Sequence, residues 1–303
     1  MKRLIALVLG IMMMGLAAAA AGEGTFTLTA PSGAPAVAVA TLAQENPDRF
    51  TFVAADTIAS AFAAAEADFI IAPVNAGAKL YKAGKSTYKL AAVVTWGNLV
   101  FASQKENFTL ADINGAKITL FGENTINSSV ALYVLAQEGI EPASVEYLAG
   151  AAQTQQLLLT DPEAIVMTAE PAVTAAKIKN EGIVSYALSE ELKTISGSNE
   201  FAQAGLFVRE ETLKEDPAGV KAYLEAIREA AGETETDINR AAQAAAALEI
   251  LPNEKVAVQA IPGCSIRYVA APEAKEAVEF TAGIDLSQFG GEVPADDFYY
   301  AAE

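Results

Sequence analysis

A single tryptophan, Trp96, stands beside a glycine and an amide, Gly97 and Asn98, at a break between two apolar runs. An indole at such a loop could stack on a flat ligand or lie in the core, while Asn98 can donate and accept at once. Four further short segments carry similar hydrogen-bonding chemistry: Ser32-Gly33-Ala34-Pro35, Pro73-Val74-Asn75, Gly122-Glu123-Asn124-Thr125 and Thr168-Ala169-Glu170-Pro171. Ser32 brings a hydroxyl, and Gly33 and Ala34 an unencumbered backbone, to a helix start where a small polar ligand could bind. Serine is also a favoured helix cap, and Asn75 carries the same two readings, ligand amide or cap. The segment at residues 122–125 lacks the lysine and the glycine spacing of a P-loop, so nucleotide hydrolysis is not supported. Its helix-start amides can still bind a carboxylate, a sulfonate or a neutral oxygen. Glu170 could pair with a ligand amine, or complement the dipole of a helix whose first turn Pro171 stiffens. The candidate ligand contacts are therefore Ser32, Gly33, Ala34, Asn75, Trp96, Asn98, Gly122, Asn124, Thr125, Thr168 and Glu170.

These groups can hold a molecule but are poorly suited to transforming one. The chain has no histidine and one cysteine, Cys264. Ser-His-Asp, Cys-His and histidine-metal catalysis are thereby excluded, and Cys264 reads as a structural thiol with nothing to activate it. No cofactor or metal is expected. None of the five segments contains arginine, which weighs against a multiply charged anion as ligand. The chain carries 20 Lys+Arg against 38 Asp+Glu, a formal charge of −18 that disfavours nucleic acid as a partner.

Loops of this kind can cooperate only if a common framework brings them together. With 303 residues, 52% hydrophobic and 19% charged, the chain can bury a large core, and two medium domains are the expectation. Met1-Lys2-Arg3, an apolar run over residues 4–16 and small residues at 17–22 form the three-part pattern of a cleaved secretory signal, assigned to residues 1–22. Beyond it the apolar periodicity alternates between strand and helix. Strands are predicted at 25–29, 50–54, 68–72, 88–95 and 99–103, with helices at 36–45, 57–66 (capped by Asp56) and 75–83. A second series follows. It has strands at 117–121, 145–148, 164–167 and 183–188 with helices at 125–138, 153–159 and 171–179, then a returning strand at 205–208. Helices are predicted at 217–231, 237–248, 253–260 and 272–282. The fold class is α/β: two lobes, each a mostly parallel sheet flanked by helices. In such sheets ligands bind beyond the carboxyl ends of the strands, which is where the five segments lie.

Four stretches resemble a known family. Ala65-Glu66-Ala67-Asp68 and the apolar Phe69-Ile70-Ile71-Ala72 look like a G-E-A-D segment entering a strand. Residues 110–118 are similar to the D-L-K-G-K-K-I segment that opens a second domain, residues 164–171 to a strand ending in E-P, and residues 203–208 to the returning strand. The chain resembles the substrate-binding proteins of ABC importers with the type II periplasmic-binding fold, in the branch of nitrate, sulfonate, taurine and thiamine-precursor binders. Ala65 and Ala116 depart from the usual glycine and lysine, and Ala19 stands where a lipoprotein would have cysteine. The resemblance implies lobe 1 from residues 23–103 and 202–303, lobe 2 from 104–201, and two hinge crossings near Ser103 and Ala202. It also implies an extracytoplasmic monomer that closes on a small-molecule ligand and meets an ABC permease and ATPase complex. A secreted sensor with the same cleft, or an enzyme on the same fold, are the alternatives.

Overall fold

The computed structural model describes residues 26–197 and 200–301, so the expected signal segment lies outside the described residues. Among the described residues, eleven strands form two sheets. They are β1 (Leu28–Pro31), β2 (Phe50–Val53), β3 (Phe69–Pro73), β4 (Tyr88–Trp96), β5 (Leu99–Ser103), β6 (Lys117–Phe121), β7 (Ser144–Leu148), β8 (Ile165–Ala169), β9 (Val184–Ala187), β10 (Ala202–Arg209) and β11 (Ile266–Ala270). The first sheet has the order β11-β4-β10-β3-β1-β2 and the second β7-β6-β8-β5-β9. In the first, β1 to β4 run one way while β10 and β11 run against them. In the second, β6 to β9 run one way and β5 runs back between β8 and β9. The expected two-lobed α/β architecture with mostly parallel sheets is the one observed.

Burial on both faces explains why these strands are runs of apolar residues rather than alternating ones. In β3, Phe69 and Ile71 pack with the helices Ala40–Glu45, Pro217–Thr236 and Ile238–Ala247, while Ile70 and Ala72 face the opposite layer with Val74 and Val278. β10 divides in the same way, with Leu206 and Val208 on one side and Phe207 on the other. In the second sheet Phe101 and Met167 join the layer that contains Val130 and Val134, and Val100 and Val166 face Leu158 and Val173. Period-two alternation therefore persists in the partition between two cores, although both sides are dry.

Several local expectations change. Residues 266–270 form a strand and Leu188–Ser196 a helix, and neither was anticipated. The helix expected at 57–66 is Ala59–Ala64, with Ile58 rather than Asp56 at its N-cap position and no side-chain cap. β5, placed in the first lobe by the sequence, pairs with β8 and β9 of the second sheet. The chain thus changes sheet at Gly97–Asn98 instead of near Ser103, and it re-enters the first sheet with β10 at Ala202. Gly97 takes a positive φ of 65°, and a Cβ there would lie 3.3 Å from Phe201 Cβ on the returning segment. The C-terminal part also touches the second series directly: Ser129 Oγ donates to Asp285 at 2.7 Å and Gln288 Nε2 to the Asn124 carbonyl at 3.1 Å.

Candidate ligand-binding cleft

The carboxyl ends of β1, β2, β3, β6, β7 and β8 open onto one cleft of about 510 Å³, lined by residues from both sheets' loops. Of the eleven sequence candidates, Ser32, Gly33, Ala34, Asn75, Asn98, Gly122, Thr125 and Glu170 line it. Trp96, Asn124 and Thr168 do not.

The reasons are local. Trp96 is the last residue of β4, and the unanticipated β11 pairs beside it. The Trp96 N–H donates to Ser265 O at 2.9 Å and Nε1 to Arg267 O at 2.8 Å, while the Arg267 guanidinium lies 4.5 Å from the ring centroid. At 5% exposure the indole is a core group with a cationic partner. Thr168 is fully buried and its hydroxyl donates to the Ala151 carbonyl at 3.2 Å, tying the end of β8 to the start of the Ala151–Thr160 helix. Asn124 is exposed at a φ of 55° in the turn before the Ile126–Gln137 helix.

Ser32 and Asn75 are not helix caps. Gly33 occupies the cap position of the Ala34–Val37 helix without a side-chain bond, and Pro73 that of Val74–Lys82. Asn75 Oδ1 is buried with no hydrogen-bond partner. Thr125 does cap: its hydroxyl accepts from Ser128 N at 3.5 Å and donates to Gly122 O at 2.7 Å, which closes the loop over a glycine at φ 74°.

Asn98 and Glu170 form the junction between the crossing and the second sheet. The Glu170 N–H donates to Asn98 O at 3.0 Å and Asn98 Nδ2 returns a bond to Glu170 O at 3.2 Å. Asn98 N donates to Gln203 Oε1 at 3.1 Å, so β10 is joined to the same point. Asn98 is 6% exposed and its Oδ1 has no donor. The Glu170 carboxylate accepts from Thr174 N at 3.3 Å and Thr174 Oγ1 at 2.9 Å, so it supports the first turn of the Ala172–Lys179 helix while also lining the cleft. Burial raises its carboxyl pKa above the usual range, against the lowering effect of the Thr174 bonds and of Lys177. Behind it lies Gly263, where a Cβ would come within 2.9 Å of Glu170 Cγ. The neighbouring Cys264 thiol is pushed well above its ordinary pKa by burial and by the Glu170 charge, which suits a structural role.

Sequence reasoning missed several lining residues. Gln203 comes from the returning strand, Asn127 from the first turn after Thr125, Gln288 from the C-terminal segment, and Asp56 from a turn in which it was read as a cap. Gly150 and Ala151 follow β7 and begin a helix. The strand-end rule that selected the other loops would have selected them as well.

The chain matches the NMT1/THI5-like family over residues 60–237, more than half of its length, and it belongs to that family. No curated protein matches it in sequence. Among solved structures, an ABC transporter protein from Parabacteroides distasonis is similar at 20% identity and a TM-score of 0.78, over 92% of this chain and 99% of that one. The periplasmic aliphatic sulphonate-binding protein SsuA from Escherichia coli superposes with a TM-score of 0.69 at 13% identity, covering 92% of each chain. A putative nitrate transport protein from Thermoplasma volcanium gives 0.56 at 10% identity, over 88% and 95%. At these identities the shared property is the fold.

Proposed function

We propose that the protein is an extracytoplasmic solute-binding protein that captures a small molecule between its lobes and presents it to an ABC importer. The observation that carries this reading is the cleft itself, formed at strand carboxyl ends of two separate sheets and polar at the chain crossing between them. Residues 26–97 and 202–301 act as one lobe and residues 98–201 as the other in this proposal. Rotation about Gly97–Asn98 and the return near Ala202 would then admit and enclose the ligand. Capture without chemical change fits a lining that offers amides, hydroxyls and carboxylates but no activated nucleophile. The relatives' roles in sulphonate and nitrate transport support the importer as partner. The test is a thermal-shift panel of amines, amino acids, sulfonates, nitrate, sugars and nitrogen heterocycles, followed by solution scattering with any stabilising compound. A stabilising solute that is recovered unchanged and reduces the radius of gyration is expected. Stabilisation by none of them, or turnover of the bound compound, would overturn the proposal.

A further inference from the structure

Resting on the solute-binding reading, we infer that the cleft takes a small organic cation, a protonated amine on a compact apolar body, and not an oxyanion. Among the described residues that line it, the ionisable side chains are Asp56 and Glu170, both acids; Lys177 lies outside the lining and donates to Ser185 Oγ at 2.7 Å, although its charge reaches Glu170. Glu170 has no ion-pair partner within salt-bridge distance among the described residues, and the hydrogen bonds that its carboxylate accepts come from Thr174. A half-buried carboxylate in that state gains most from a ligand that brings positive charge.

Two buried amide oxygens point the same way. Asn98 Nδ2 is already bonded to Glu170 O, which fixes the amide orientation and leaves Oδ1 as a buried acceptor lacking a donor. Asn75 Oδ1, from the other lobe, is in the same condition. An ammonium group carries N–H donors for such oxygens, whereas a sulfonate or nitrate carries none. Helix starts also reach the cleft, and their partial positive charge favours anions within the first turn. Two of them are already engaged: Glu170 holds the Thr174 amide of one, and Thr125 holds the Ser128 amide of another. Apart from Ser32, Thr125, Asn127, Gln203 and Gln288, the rest of the lining is alanine, proline and glycine with Ile58, Phe121 and Ile126, which favours an apolar body. At a formal charge of −18, the chain as a whole attracts cations over longer distances.

The experiment compares ligands that share a body and differ in charge: benzylamine, benzyl alcohol and benzenesulfonate, then butylamine, 1-butanol and butane-1-sulfonate, with nitrate added. Calorimetric titration of the full mature protein is expected to show each amine binding at least tenfold more tightly than its alcohol and sulfonate. Glu170→Gln should remove that preference. Sulfonates or nitrate binding as tightly as the amines would overturn the inference, as would an amine preference that survives Glu170→Gln. The parent protein's preference is informative even if the variant does not fold. Should all these probes stay silent, the wider panel decides: a ligand without a cationic nitrogen refutes the cation assignment and leaves solute binding intact. Silence there as well removes both.

Discussion

Gly122→Ala tests how the loop after β6 is built. Gly122 has φ 74°, and a Cβ added there would stand 2.7 Å from Thr125 Oγ1, the atom that donates to Gly122 O and accepts from Ser128 N. Holding alanine in a left-handed conformation costs about 1–2 kcal/mol. About 0.4–1 kcal/mol of that is offset by the smaller entropy of the unfolded chain. Gly139 supplies the control, since its φ is 68° with nothing within 4 Å of the added Cβ, so Gly139→Ala should show this backbone cost alone. At Gly122 the Thr125 hydroxyl must also leave its place, with loss of a cap worth roughly 1 kcal/mol and a hydrogen bond worth about another. The difference of about 2 kcal/mol corresponds to a Tm gap of roughly 4–8 °C between the two variants, at about 2–4 °C per kcal/mol for a large domain. Calorimetric or circular-dichroism melts of the pair measure it. Equal Tm values within the error of the melts, or a larger loss at Gly139, would refute the argument that Thr125 depends on the space beside Gly122.

Two further outcomes follow from the geometry. Glu170→Gln should raise the Tm of the ligand-free protein near neutral pH and lose that advantage in acid. Burial keeps the native carboxyl protonated to higher pH than in the unfolded chain, so native stability falls as pH rises through that window; a Tm difference independent of pH would count against it. Trp96→Ala should cost about 3–5 kcal/mol, as expected for a large buried aromatic. Its affinity for any cleft ligand should stay within about threefold of the parent's, which is under 1 kcal/mol; a tenfold loss with unchanged Tm would return Trp96 to the ligand site.

The alternation of strand and helix was legible because each element carries its own apolar period, and β6, read as 117–121, matches the observed Lys117–Phe121. Long-range pairing leaves no such local trace. β11 is a short strand with the sequence Ile-Arg-Tyr-Val-Ala, set among helices, and is stabilised by pairing with β4, distant in the chain. Missing it led directly to the wrong setting for Trp96, since the Ser265 carbonyl binds the Trp96 backbone N–H and Arg267 holds the indole. Gln203 was hidden for a similar reason. Its role arises from a hydrogen bond across 105 positions to Asn98 N. By contrast, Ser32, Gly33 and Gly122 could be found from a rule about where strands end, because the cleft is made there whatever the register.

The interleaving of the sheets also bears on the order in which the chain can acquire structure. The second sheet is drawn from one unbroken stretch, residues 99–187, whereas the first needs strands from 28–96 and again from 202–270. β10 lies between β3 and β4, so before it arrives those two strands have no common neighbour and the first sheet is in two parts. Contacts over such separations close slowly because the intervening loop loses entropy before it gains contacts. A chain emerging from its amino end would therefore complete the later sheet first, and the earlier strands would wait, apolar and half-paired, for a partner made more than a hundred residues after them.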